Sequence, residues 1–484
     1  MPANSLILAV DRASKTPVFE QICIAVRRNV QSGTLRAGAK LPPTRSFASE
    51  LGVSRSTVVT AYEQLVAEGY ILGRRGAGYV VCNTGDLELS NDSAGPRATT
   101  SKASTAPEGI VPFSAGEPDM RLFPHRAWGR TVARLYRNTP TGLTREESLL
   151  GHRGLRQAIA DHIAEWRGVT AHWTQVMITA GASDALELCL RSLAQAGDTI
   201  AVEDPGYRPL RHFIADRGLQ LNFMTSDAEG ALLPEGQARA AILTPSHQYP
   251  LGGAMSLQRR QAFLSWATTE DRWLIEDDYD SEFRFAGRPI PALAGFDGLK
   301  RAIYIGSFSK IFSNELRMGY VVVPEQLQNS FTKTLRRFGR KASQMPQAPL
   351  ADFMQSGEFY RHLRRVRRIY GKRRGFILDA LQHQFQDAGW FTDHQAGMQI
   401  AFHLNIELPD TNVATAARAA GLDVQALSEF CVGPASCNGI LLGYCGFDET
   451  ELGNALLTLR RVIDAQKERA AIGDPFRNTD QKSD

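Results

Sequence analysis

Apolar residues between Pro17 and Gln31 fall at Val18, Ile22, Ala25, Val26 and Val30, the spacing of one helix face. Gly33 ends that pattern. A shorter stripe follows, Phe47, Ala48 and Leu51, with Thr44 as its capping residue and Gly52 as the tight turn after it. Ser54 caps a third helix, whose apolar positions are Val58, Tyr62, Leu65 and Val66 and which stops near Gly69. From Tyr70 to Val81 two short runs flank Arg74-Arg75-Gly76-Ala77-Gly78, which predicts two strands joined by a basic turn. Past Val111 the period changes. Helical stretches alternate with brief β-rich runs: MITAG, TIAVEDP, LQLNFM, AAILTPS, WLIEDDY, AIYIGSF and GYVVVP. Such alternation predicts an α/β domain on a mostly parallel sheet.

Residues 83–110 contain no aromatic residue and are rich in Ser, Thr, Ala, Gly and Pro. They cannot bury enough apolar surface to order themselves and are expected to form a flexible linker. The expected layout is a head at 11–82, the linker at 83–110, a body at 111–468 and a disordered polar tail at 469–484. A chain of 484 residues is too long for one core, which agrees with this division. Charge sharpens the contrast. Residues 1–82 carry ten Lys/Arg against five acids, and the rest carries 45 against 46. A small basic module on a neutral body suits a partner with a phosphate backbone. No apolar run reaches the ~20 residues that span a bilayer, and Leu6 to Val10 is too short for a secretory leader. The six cysteines are scattered without a CxxC pair, so no metal site is expected and the thiols read as free, in a reducing cytoplasm.

Two helices around a Gly-containing turn form a helix-turn-helix, whose second helix presents its first residues to base edges in the major groove. Here those residues are Ser54, Arg55, Ser56 and Thr57. The segment LPPTRSFASELGVSRSTVVTAYEQLVAEGYILGRRGAGYVV resembles the GntR-type winged helix-turn-helix. The resemblance implies DNA contacts from Arg45, Arg55, Ser56, Thr57 and the wing arginines Arg74 and Arg75, with Ser54 also at the interface or acting only as a cap.

In the body, IYIGSFSKIFSNELRMGY brings a strand into a small polar loop with Ser307, Ser309, Lys310 and, seven residues on, Arg317. A lysine of lowered pKa can form a Schiff base with an aldehyde cofactor. Two hydroxyls and a guanidinium suit a phosphate dianion. WLIEDDYDSE ends a buried strand in carboxylates, of which Asp277 is placed to meet a pyridine nitrogen, with Tyr279 beside it. MITAGASDAL enters a helix through Gly181, Ala182 and Ser183, a seat for phosphate. EDPGY offers Tyr207 as a flat stacking partner.

These segments resemble fold-type I aminotransferases. More narrowly, EDPGY, TPSHQYPLG, EDDYDSEFRF and GSFSK…LRMGY resemble the MocR/GabR regulators, in which a GntR-type head is fused to an aminotransferase-like body. The resemblance implies pyridoxal phosphate on Lys310, Asp277 at the ring nitrogen, Tyr279 at the phenolate oxygen, Ser307, Ser309 and Arg317 at the phosphate, and Tyr207 stacked on the ring. It also implies a domain-swapped homodimer on double-stranded promoter DNA, controlled by a small amine. Two departures bear on the ligand. Leu441 stands where aminotransferases place the arginine that holds a substrate carboxylate, and Tyr249 stands where they place an asparagine. Both point to sensing rather than turnover, and to an effector such as taurine rather than an α-amino acid; Arg121, Arg208 and Arg211 are the arginines left to meet an acidic group. The expected role is activation of an amine or taurine catabolic operon, with autorepression. A sensor of pyridoxal phosphate itself and a working aminotransferase with a DNA-binding appendage are the alternatives. The run RHLRRVRRIYGKRRG, Arg361 to Arg374 with eight Lys/Arg, is either a solvated helix face or a second DNA-contacting surface.

Overall fold

A computed structural model of the chain describes residues 10–74, 78–82, 111–139, 148–287, 289–405, 409–433 and 437–473. These fall into two compact units, divided between Thr105 and Ala106. The expected linker, Arg75 and residues 474–484 lie outside the described residues, as does the side chain of Arg74. Among the described residues no helix is long and apolar enough to cross a membrane, and no cluster of His, Cys, Asp and Glu could hold a metal ion.

The first unit has three helices, α1 (Val18–Gln31), α2 (Thr44–Leu51) and α3 (Arg55–Ala67), then an antiparallel pair, β1 (Ile71–Arg74) and β2 (Gly78–Val81). Its core joins Ile22 and Val26 of α1, Phe47 of α2, Val58, Tyr62 and Leu65 of α3, and Ile71 and Val81 of the strands. Gly52 takes the left-handed conformation that the turn between α2 and α3 requires, at φ 62°. Two expectations need correction. Thr44 does not cap α2; Pro43 precedes the helix, and the Ser46 hydroxyl donates back to the Pro43 carbonyl at 2.9 Å. Val66 is exposed, because the buried stripe of α3 runs Val58, Ala61, Tyr62, Leu65 and places the next position around the helix toward solvent.

The second unit holds two sheets. The larger contains β3 (Val176–Thr179), β4 (Thr199–Asp204), β5 (Gln220–Asp227), β6 (Gly230–Ala231), β7 (Ala240–Leu243), β8 (Trp273–Asp278), β9 (Ala302–Ser307) and β10 (Gly319–Val322). Their spatial order is β3-β10-β9-β8-β7-β4-β5-β6. The pairings from β5 through β4, β7 and β8 to β9 are parallel; β10 is antiparallel to both its neighbours, and β6 to β5. Successive residues alternate between two cores. Ile178, Ala241, Leu274 and Tyr304 enter one, while Met177, Ile242, Ile275 and Ile303 enter the other. Burial on both faces explains why β3, β7, β8, β9 and β10 read as continuous apolar runs. The smaller sheet is antiparallel, with β11 (Gly389–Phe391), β12 (Gln399–Leu404), β13 (Gln425–Ala426) and β14 (Gly439–Gly443) in the order β11-β12-β14-β13. The last helix, Glu449–Gly473, continues past the expected boundary at residue 468. Its anchors Leu452, Leu456, Leu459 and Ile463 are buried, and a helix so nucleated adds further polar turns at little cost.

Candidate functional site

In open α/β sheets, ligands bind beyond the carboxyl ends of the parallel strands. One cavity of about 350 Å³ lies there. All ten residues expected at the cofactor line it: Gly181, Ala182 and Ser183 after β3, Tyr207 after β4, Asp277 and Tyr279 at the end of β8, and Ser307, Ser309, Lys310 and Arg317 between β9 and β10.

Lys310 is partly buried, and its ammonium donates to the Gly116 carbonyl at 2.8 Å. Desolvation lowers its pKa, against the opposing fields of Glu117, Asp280 and Asp277. Four carboxylates cluster on and just after β8, and their partners distinguish them. Glu276 accepts from the backbone N–H groups of Leu293 and Ala294. Asp278 is ion-paired to buried Arg167 at 2.7 Å and accepts from the Tyr304 hydroxyl. Asp280 meets His247 Nδ1 at 3.0 Å. Asp277 alone of the four leaves a buried oxygen, Oδ1, without a partner among the described residues. Burial, with Asp278 and Asp280 nearby, pushes its carboxyl up to about 7. An unpartnered carboxylate in a cavity is the complement of a ligand N–H.

The polar loop folds on itself, with the Ser309 N–H donating to the Ser307 hydroxyl at 3.1 Å. Arg317 is exposed, forms no ion pair among the described residues and adopts φ 47°, a left-handed conformation that a non-glycine residue holds only at a cost. The helix Ala182–Leu193 begins at Gly181, and its first N–H groups have no acceptor within the helix. Hydroxyls, a guanidinium and a helix N-terminus together form an anion seat.

The cavity's other wall is aromatic. Tyr249 packs edge-on against Tyr207 at 6.0 Å and Tyr279 at 5.6 Å. The Tyr279 hydroxyl lies 2.8 Å from His247 Nδ1, which joins it to the His247–Asp280 pair. Sequence reasoning missed Gly116, Thr244, Asn314, Glu315 and Gln399, which also line the cavity. Gln399 carried no distinctive signal, since its strand reads QIAFHL with a second polar residue at His403.

Leu441 is buried in an apolar cluster with Ala401, Leu427, Phe430 and Cys437 and does not line the cavity. The three arginines considered for an acidic ligand are engaged elsewhere. Arg121 pairs with Asp119 and Glu451, Arg208 with Glu429, and Arg211 donates to the Phe430 carbonyl. The basic run belongs to the helix Glu358–Gln384 and divides in two. Arg367, Arg373 and Arg374 turn inward to Arg284 O, Asp119 and Asp393, while Arg364, Arg365, Arg368 and Lys372 are exposed.

In the first unit, Ser54 accepts from the Thr57 N–H at 3.1 Å, so it caps α3. Its hydroxyl also meets those of Ser56 and Thr57 at 2.7 Å. Arg45 and Arg55 are exposed and unpaired among the described residues.

Comparison with known proteins defines a transcription regulator of two parts. Residues 19–81 match the bacterial regulatory proteins of the gntR family, and residues 108–432 match aminotransferase class I and II. The probable rhizopine catabolism regulatory protein MocR of Rhizobium meliloti is 34% identical, over 96% of this chain and 98% of its own. The pyridoxine biosynthesis regulator PdxR of Corynebacterium glutamicum is also 34% identical, over 97% and 99%. Among solved structures, a multiple substrate aminotransferase from Thermococcus profundus superposes with a TM-score of 0.68 at 22% identity, over 75% of this chain and 93% of its own. The chain belongs to the MocR/GabR type of regulators, a GntR winged helix-turn-helix joined to a fold-type I aminotransferase domain. Pyridoxal phosphate is the cofactor of that domain. The residues of this cavity fit it: a desolvated lysine, an unpartnered buried carboxylate and an anion seat line one space.

Proposed function

We propose that this regulator carries pyridoxal phosphate on Lys310 and uses it to sense a small amine, activating a catabolic operon for that amine and repressing its own gene, as a homodimer on a two-fold operator. The observation that carries the reading is the convergence of ten residues from four separate segments on one cavity that retains an unpartnered carboxylate. When bound, the cofactor supplies an aldehyde that joins amines reversibly and a ring that withdraws electrons through its protonated nitrogen. Asp277 holds the proton at that nitrogen. Ser307, Ser309, Arg317 and the N–H groups at Ala182 and Ser183 hold the phosphate, and Tyr207 and Tyr279 flank the ring. Lys310, kept toward its neutral form by desolvation, presents its amine and rests on the Gly116 carbonyl. A ligand that moves Lys310 also frees Gly116. The segment around Gly116 is bonded to β14, with Gly443 N–H donating to the Phe113 carbonyl at 2.9 Å, so the change reaches the smaller sheet.

In the first unit, Arg55, Ser56 and Thr57 meet the major groove, Arg45 binds the backbone, and Arg74 and Arg75 add further DNA contacts. A catabolic role is supported by the similarity to MocR. Taurine, the effector suggested by Leu441, has the 29% identity to TauR of Rhodobacter capsulatus in its favour. Against it, among the described residues Lys310 and Arg317 are the only cations lining the cavity, and Arg317 is assigned to the phosphate. The similarity to PdxR favours a second reading, in which pyridoxal phosphate itself is the signal. One experiment separates these. The purified protein is titrated with amines and with pyridoxal phosphate, on its own promoter DNA, while visible absorbance and DNA binding are followed. A visible band that amines shift, with a parallel change in DNA binding, is the expected result. Steady turnover with a 2-oxo acid would instead establish an aminotransferase.

A further inference from the structure

We propose that Gln399 selects the effector, and that the effector is a primary amine bearing a neutral hydroxyl, an amino alcohol, rather than an amino acid or an aminosulfonate. This rests on reading the cavity as the cofactor and effector site.

Gln399 opens β12, opposite Gly443 of β14, and lines the cavity. It is 7% exposed, and its Nε2 is buried without a hydrogen-bond partner among the described residues. Buried amide N–H groups are almost always satisfied, so an unpartnered one on a residue that lines a cavity calls for an acceptor, which a ligand can bring. Its place is set by Gly116. A Cβ there would lie 2.8 Å from Lys310 Nζ and 3.6 Å from Gln399 Oε1, so the lysine amine and the glutamine amide crowd the same point of backbone. An amine that reaches Lys310 therefore brings its own substituent beside Gln399.

The chemistry of that substituent follows from the charges around it. A carboxylate or sulfonate needs a guanidinium or ammonium to replace its hydration. The cavity wall gives Lys310, which the amine itself meets, and Arg317 among the anion-binding hydroxyls; its acids are Asp277 and Glu315. Leu441 is apolar, and Arg121, Arg208 and Arg211 are engaged elsewhere. A neutral amide instead matches a group that both accepts and donates, and a hydroxyl does both.

The test uses full-length protein loaded with pyridoxal phosphate, titrated through its visible absorbance with 2-aminoethanol, n-propylamine, β-alanine and taurine. 2-Aminoethanol and n-propylamine differ by a hydroxyl in place of a methyl. The wild type should respond to 2-aminoethanol at about tenfold lower concentration than to n-propylamine, the scale of one hydrogen bond, and less readily to β-alanine and taurine. Gln399→Leu should erase that preference while n-propylamine still acts. Gln399→Glu, of nearly the same shape, should weaken it, since a carboxylate has no N–H for the hydroxyl oxygen to accept from, and its visible band shows that the site is formed. Equal response of the wild type to 2-aminoethanol and n-propylamine, a best response to β-alanine or taurine, or an unchanged preference in Gln399→Leu overturns the proposal. Absence of any visible band in the wild type sinks the cofactor reading and this one with it, which distinguishes the two failures.

Discussion

The two units handle their polar groups in opposite ways. In the first, Arg45, Arg55 and Ser56, which are expected to meet DNA, are exposed, and the scaffold beneath them is satisfied: Ser54 closes the first turn of α3, and Arg27 pairs with Glu20 and Glu68. In the second, the groups that define the site are withdrawn from water and left incomplete. Asp277 and Gln399 each keep a buried atom without a partner among the described residues, and Lys310 is desolvated. A surface that reads a charged polymer can rest in solvent until the polymer arrives, whereas a site for a small molecule must store its demand for hydrogen bonds inside the fold. Exposed recognition is therefore expected to break without disturbing the fold, and buried recognition to couple binding to stability.

The largest effect expected from this contrast is that of Lys310→Ala, which should abolish the visible absorbance while DNA still binds; spectra and a gel-shift assay check both halves. Arg317→Ala should weaken cofactor affinity by roughly 10- to 100-fold, the loss of a charged hydrogen-bonding partner, measured by fluorescence titration of the cofactor-free protein. Arg55→Ala should weaken DNA binding about 5- to 100-fold and leave the spectrum untouched. A loss of absorbance in that variant would break the comparison.

A fourth prediction concerns pH. Burial raises Asp277 from its ordinary 3.8 to about 7. Between those values the folded, cofactor-free protein keeps a proton that the unfolded chain has released, so stability should fall as pH rises through that window. Glu203, buried and pushed up to about 7, adds to the same slope. Thermal melting should show the slope, and Asp277→Asn should flatten part of it. The smallest effect belongs to Ser54→Ala, which removes the cap of α3 and should cost about 1 kcal/mol of stability in the first unit, seen as a lowered melting temperature.

What was legible in the sequence follows the same divide. The seven apolar runs all became strands of the larger sheet; in all but β5, which is largely half-exposed, a strand buried on both faces writes itself as continuous hydrophobicity. The loops after those strands carried the recognisable chemistry, and Lys310, Asp277 and their neighbours do line one cavity. Gly116 and Gln399 were not legible. They come from the start of the body and from the smaller sheet, and only the tertiary fold brings them to Lys310. Thr44 was misread because a hydroxyl at a helix start looks like a cap even one residue too late, and Val66 because an apolar side chain just beyond a buried stripe resembles part of it.

The hydrogen bond from Lys310 to Gly116 has a mechanical implication. Gly116 lies six positions after residue 110, where the expected linker ends and the body's chain begins. Whatever draws the lysine away therefore releases a contact near the start of the second unit. In sequence Gly116 lies before all eight strands of the larger sheet, on the side of the chain nearer the first unit.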